Sequence, residues 1–148
     1  MPLLSITDQD SIFYLHHAAG DAGKPTFVFF NPLTGDTGNW EGAIAPGLRE
    51  KGFGTLTFDY RGQTQSSFAP QARLTSQGIV DDAVALLAQV KPLNPVLVGL
   101  SIGGLYAAQA YLAGAAADKL VLINTLRRDG PRLKWICDAL VRAVEIGG

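Results

Sequence analysis

Gly99-Leu100-Ser101-Ile102-Gly103-Gly104 is the segment that most narrows what this chain can fold into. It follows the apolar run Val96-Leu97-Val98 and precedes a stretch with helical spacing. A serine in Gly-x-Ser-x-Gly at a strand-to-helix junction occupies a tight, strained turn, and the flanking glycines remove side chains that would strike neighbouring backbone. Such a turn pushes the hydroxyl into the open at a helix N-terminus, where unpaired N–H groups and the helix dipole favour developing negative charge. Ser101 is therefore a candidate nucleophile for acyl chemistry. The pattern itself is short and the chain holds 17 glycines, so the strand-turn-helix context supplies most of its weight. The structural alternative is that Gly103 and Gly104 let a helix pack close to a sheet while Ser101 caps it.

The rest of the sequence has the organisation such a turn requires. Short runs rich in Val, Ile, Phe and Leu recur between segments of helical spacing, as in a sheet covered by crossover helices. Residues 5–7 and 12–16, parted by Asp8-Gln9-Asp10, predict an N-terminal hairpin. Residues 26–30 lack polar alternation and predict a central strand buried on both faces. A loop over 31–39 leads to a helix around 40–51, then a strand over 55–59 and a surface loop over 60–70. Thr75 or Ser76 caps a helix whose Ile79, Val80, Ala83, Val84, Leu87 and Val90 form one buried face, ended by Pro92. Strands over 95–99 and 119–124 flank a helix over 101–113. Pro131 opens a last helix with the stripe Leu133, Ile136, Cys137, Leu140, Val141 and Val144.

The expected fold class is α/β: a mostly parallel sheet with helices on both faces and an N-terminal β-hairpin. At 148 residues, 47% hydrophobic and 17% charged, the chain reads as a single domain over 1–148 with its own core. It needs no disulfide, which agrees with the lone Cys137. A net charge of −1 without long blocks of one sign argues against nucleic acid. No basic-then-apolar leader and no run of eighteen apolar residues is visible, so a soluble, cytoplasmic protein without a membrane partner is expected. No metal or cofactor is expected either.

Together these segments resemble the α/β-hydrolase family. The resemblance runs over nearly the whole chain but covers only the first part of that fold, the hairpin and the strands counted third to sixth. It implies an incomplete α/β-hydrolase-like fold lacking the C-terminal strands, with 131–148 as the start of a cap or lid helix. Asn31-Pro32-Leu33 stands where the family often has His-Gly-x, with Asn31 at the histidine and Pro32 at the glycine. Pro32 has no N–H, but the donor wanted is the next one, Leu33. Leu33 and Ile102 then supply the two backbone donors of an oxyanion hole. Taken alone, Asn-Pro is a turn leaving a buried strand. Asp59-Tyr60-Arg61-Gly62-Gln63-Thr64-Gln65-Ser66 resembles the family's Asp-x-Arg-Gly-x-Gly-x-Ser, with Thr64 in place of the second glycine. Asp59 and Arg61 are expected to brace this loop. Asn31, Trp40 and Tyr60 are expected at the substrate pocket, with plain aromatic packing as the alternative for the last two.

A serine hydroxyl needs a base, in this family a late histidine oriented by an acid. Both histidines, His16 and His17, lie in the first eighth of the chain. The family sheet order 1-2-4-3-5-6 puts their strand three places from the serine, about 14 Å at ~4.8 Å per step, with its histidine end away from the catalytic face. Both read as rim residues. Asp129 falls near a position some members use for the acid, and equally reads as a solvated loop charge beside Arg128. Lys119, Arg127, Arg128, Arg132 and Lys134 read as a wet basic face. The strand over 119–124 reads as an apolar sheet edge open to pairing, and the last helix needs something to lie on, over the Ser101 mouth or on a partner.

Two function classes follow. One is a serine hydrolase acting on a small-molecule ester, thioester or related acyl substrate, its histidine and acid supplied by a C-terminal part or a partner chain. The other is a non-catalytic ligand-binding or interaction module. A homo-oligomer through the edge strand is a third possibility.

Overall fold

In the computed structural model, which describes residues 2–69, 73–125 and 131–147, six strands form one sheet in the order β1-β2-β4-β3-β5-β6. The strands are β1 (Leu3–Ser5), β2 (Ser11–His17), β3 (Thr26–Phe30), β4 (Gly54–Phe58), β5 (Pro95–Leu100) and β6 (Lys119–Ile123). β1 and β2 form an antiparallel hairpin, and β2 joins β4 antiparallel. The pairs β3/β4, β3/β5 and β5/β6 are parallel. The expected α/β class and strand order are thus those of the molecule.

Alternation along the central strands sends side chains to two separate cores, because successive residues of a strand face opposite ways. Val28 and Phe30 of β3, Leu56 and Phe58 of β4 and Leu97 of β5 join one cluster. It is completed by Ile79, Val80, Ala83, Leu86 and Leu87 of α3 (Ser76–Val90) and by Tyr106, Ala107 and Ala110 of α4 (Ile102–Leu112). Phe29, Val96 and Val98 point the other way, onto Trp40 of α1 (Thr37–Glu41) and Ala45 of α2 (Ile44–Glu50). Phe29 and Trp40 stack with ring centroids 4.7 Å apart.

The single helix expected around 40–51 is two helices, α1 and α2. Carried straight through, a helix would place the Pro46 ring against the Gly42 carbonyl and lose a hydrogen bond. Restarting at Ile44 moves Pro46 into a first turn, where its missing N–H has no helical partner to lose. Asp36 starts α1 with a capping box, its carboxylate accepting from Gly38 N–H at 2.8 Å. Thr75 caps α3, accepting from Gly78 N–H at 3.0 Å.

Arg61 joins three distant segments. Its Nε donates to Asp82 of α3 at 2.6 Å, its Nη2 donates to the other oxygen of Asp82, and its Nη1 donates to Asp10 of the hairpin turn at 3.2 Å. Asp10 and Asp82 are both 4% exposed, so their charges depend on this guanidinium for compensation. Its partners hold Arg61 protonated, the bond to Asp82 raising its pKa most.

The two ends of the chain's outer side are open. In β6, Val121, Leu122 and Ile123 remain exposed, and only Leu120 packs onto the core. The last helix, α5 (Pro131–Gly147), keeps Ile136, Cys137, Leu140, Val141 and Val144 of the expected stripe exposed; the Leu133 side chain lies outside the described set. Among the described residues no helix is long and apolar enough to cross a membrane.

Arg61→Ala should lower the free energy of unfolding by about 3–5 kcal/mol in urea denaturation, because it strands two buried carboxylates. Arg61→Lys should recover only part of this, since an ammonium cannot make the forked contact to Asp82.

Candidate active site

Ser101 sits between β5 and α4 with φ 55° and ψ −122°. For a residue with a β-carbon this is sparsely populated backbone, costing about 1–3 kcal/mol. The surrounding packing enforces it. A β-carbon on Gly103 would lie 2.7 Å from the Phe30 carbonyl carbon, and one on Gly99 2.5 Å from Gly104 N. One on Gly104 would lie 2.9 Å from Thr125 Cβ. Gly99 and Gly103 let α4 approach the ends of β3 and β5 at backbone distance, and Gly104 makes room for the Thr125 side chain after β6. The Ser101 N–H donates to the Ile123 carbonyl at 2.9 Å, tying the turn to β6. Its side chain makes no capping hydrogen bond to α4, so the purely structural reading of the hydroxyl loses its motive.

Two amides, one next to this serine and one in the loop after β3, have no hydrogen-bond partner among the described residues. Ile102 opens α4, whose first-turn N–H groups lack helical partners, and Leu33 follows Pro32 in the loop after β3. Among the described residues neither N–H is hydrogen-bonded.

A buried polar web holds the Leu33 loop in place. Asn31 is fully buried; its Nδ2 donates to the Phe58 carbonyl at 2.8 Å and to Gln63 Oε1 at 3.2 Å. Its Oδ1 accepts from Trp40 Nε1 at 2.8 Å, and its carbonyl accepts from the Tyr60 hydroxyl at 3.0 Å. Burial pushes the Tyr60 phenol well above its ordinary pKa, so it stays a donor. Gln63 completes the web, donating to the Gly35 carbonyl at 2.9 Å and accepting from Tyr60 N–H at 2.8 Å. Sequence reasoning passed over Gln63, a polar residue in a loop expected at the surface; only the company of Asn31 makes it a brace.

Asp59 and Arg61 do brace the loop after β4, but through different partners. Fully buried Asp59 accepts from Thr37 N–H at 2.8 Å and Gln65 N–H at 3.2 Å. Burial pushes its carboxyl above the ordinary aspartate value, the two amides only partly offsetting it. Thr64, in place of a glycine, adopts φ 21°, a conformation that favours glycine. Its hydroxyl donates to Asp36 at 2.9 Å.

A cleft of about 360 Å³ opens beside the serine's neighbours, lined by Leu33, Tyr60, Gln63, Ile79, Ile102 and Tyr106 among others. The structure thus gathers Leu33, Ile102 and Tyr60 at one cavity. Asn31 and Trp40, expected at the substrate pocket, are buried, are not among its lining residues and are hydrogen-bonded to each other. His16 and His17 pair with Leu56 and Thr55, level with the start of β5. They are about 14 Å across the sheet from Ser101, and about 13 Å (His16) and about 16 Å (His17) along the strands. Burial first, and the neighbouring His17 second, push the His16 pKa down. Arg127, Arg128 and Asp129 lie outside the described residues. Among the described residues no group of three or more His, Cys, Asp and Glu is placed to hold a metal.

Because folding raises the Asp59 pKa, the stability this carboxyl confers is full below its ordinary value of 3.8 and is lost as pH rises through the raised folded value. Asp59→Asn leaves one buried amide without an acceptor and should cost about 1–3 kcal/mol. The advantage of the native chain over this variant, measured by urea unfolding against pH, should shrink across that window.

Comparison with known proteins agrees with the fold. A family model described as alpha/beta hydrolase fold matches residues 25–143. No curated protein sequence matches the chain. Among solved structures, a carboxylesterase of the thaumarchaeon Nitrososphaera gargenis is similar at 24% identity and a TM-score of 0.81, covering 98% of this chain and 53% of its own. An alpha/beta hydrolase from a deep-sea metagenome gives 22% identity, a TM-score of 0.84 and coverage of 99% and 52%. A hydrolase of Pseudomonas aeruginosa gives 28% identity, 0.76, and 97% and 52%. The chain therefore spans about half the length of these structures. With a glycine-hemmed serine at the end of β5, this sheet order and a family match over most of its length, the chain belongs to the alpha/beta hydrolase fold family.

Proposed function

We propose that Ser101 is the nucleophile of a serine hydrolase acting on an ester, thioester or related acyl substrate. The observation that carries this reading is the strained Ser101 backbone, together with Leu33 and Ile102 amides that make no hydrogen bond among the described residues. Serine Oγ attacks the acyl carbon, and the carbonyl oxygen becomes an anion that accepts hydrogen bonds from the Leu33 and Ile102 N–H groups. A base takes the Oγ proton and returns it to the leaving group, and water then releases the acyl group. This chain's histidines are on the far side of the sheet, so the base and its acid come from residues outside these 148, in the same polypeptide or a partner. The open β6 edge is where a further strand would pair. Exposed, free Cys137 suits a reducing compartment such as the cytoplasm.

The position of His16 and His17 favours a second reading, a binding module that keeps the cleft and has lost the chemistry. It expects saturable binding of a small apolar ligand without turnover. The exposed β6 residues favour a third, a homodimer through that edge.

A fluorophosphonate probe should label Ser101 in the protein in its natural assembly, and labelling should vanish in Ser101→Ala; undiminished labelling of that variant overturns the assignment. The isolated chain should hydrolyse simple esters only at a residual rate, about 10³–10⁴-fold over water, from oxyanion stabilisation and binding alone. Size-exclusion with light scattering decides the third reading, since a monomer at high concentration removes it.

A further inference from the structure

The cleft's lining is chemically one-sided. Leu33, Ile79, Ile102, Phe68 and Leu74 give it apolar walls, and its polar members are already engaged. The Gln63 amide is bonded at both oxygen and nitrogen, the Tyr60 hydroxyl is bonded to Asn31, and Arg61 is committed to Asp82 and Asp10. Tyr106 is the exception. Its ring packs edge-on to Tyr60 at 5.4 Å, yet among the described residues its hydroxyl makes no hydrogen bond, and the only fully enclosed side-chain atom without a partner is Thr26 Oγ1. An otherwise buried tyrosine that lines the cleft therefore presents its oxygen to the cleft. Ile102 and Tyr106, four residues apart on α4, share a helix face about one turn, ~5.4 Å, apart. Ile102 follows Ser101 directly in the chain, so along α4 it stands between Ser101 and Tyr106.

The volume limits how much of an acyl chain the cleft covers. About 360 Å³ holds at most about twelve groups of water or methylene size at ~30 Å³ each, before allowing for imperfect filling. Resting on the reading of Ser101 as nucleophile, we infer that this cleft takes a neutral acyl chain of roughly four to eight carbons and that the Tyr106 hydroxyl bonds one oxygen, hydroxyl or keto, carried on that chain. A carboxylate at the same place is rejected, because among the described residues the only cation lining the cleft is Arg61, already held by Asp82 and Asp10, and burying an unpaired charge costs heavily.

The test is NMR titration of the Ser101→Ala chain, in which binding is independent of any nucleophile, with methyl hexanoate, methyl 6-hydroxyhexanoate and monomethyl adipate. Both neutral esters should bind, and the adipate about tenfold or more weaker. Adding Tyr106→Phe should weaken the hydroxy ester about five- to tenfold and leave methyl hexanoate unchanged. Leu74→Trp, at an exposed rim position that the fold tolerates, should weaken both. Binding of neither ester, equal effects of Tyr106→Phe on both, adipate binding as well as hexanoate, or indifference to Leu74→Trp each overturns the inference. Fluorophosphonate labelling that persists undiminished in Ser101→Ala, with these binding patterns intact, would instead remove the nucleophile and keep the pocket.

Discussion

Backbone-to-backbone contact between α4 and the ends of β3 and β5 is the constraint on which the site depends. Gly103 lies against the Phe30 and Asn31 carbonyls, and Gly99 against Gly104. At that separation the chain has no room to turn gradually from strand to helix, so the turn residue itself takes φ 55°. The strain is held by elements packed on all sides: the Ile123 carbonyl of β6 accepts the Ser101 N–H, and Thr125 closes over Gly104. Strain of this kind persists only where its surroundings over-determine it.

The Leu33 side of the site is built differently, from a polar web instead of close packing. Asn31, Trp40, Tyr60 and Gln63 exchange buried hydrogen bonds that tie the loop after β3 to the loop after β4. Asp59 adds the start of α1 to the same web. Buried polar groups are costly when unpaired, so a web with every member satisfied selects one arrangement of the loops. The web fixes the loop that carries Leu33, whose amide makes no hydrogen bond among the described residues.

Much of the fold was legible because its signals are local. The β3 boundaries, the Thr75 cap, the start of α5 at Pro131 and the glycine-flanked Ser101 follow from residue type and spacing. The break between α1 and α2 was also written locally, in Pro46, but helical periodicity on either side outweighed it. Gln63 was not legible, because an amide in a Gly- and Ser-rich loop reads as solvated until Asn31 is known to lie beneath it. The same applies to Asn31, expected at the pocket from its place in the family's motif, and to Trp40, expected there as an aromatic beside a loop: both are buried and neither lines the cleft.

By itself the sequence determined the periods, the caps and the one turn that admits only glycine around a serine, because each of these is set by neighbours a few residues away. Tertiary structure alone decided which polar groups are used up inside the protein and which are left over. Asn31, Gln63 and Arg61 find partners 21 to 51 residues distant, whereas the Leu33 and Ile102 amides and the Tyr106 hydroxyl find none among the described residues. Availability to a ligand is what remains after every internal bond is made, and that remainder exists only once the chain has closed on itself.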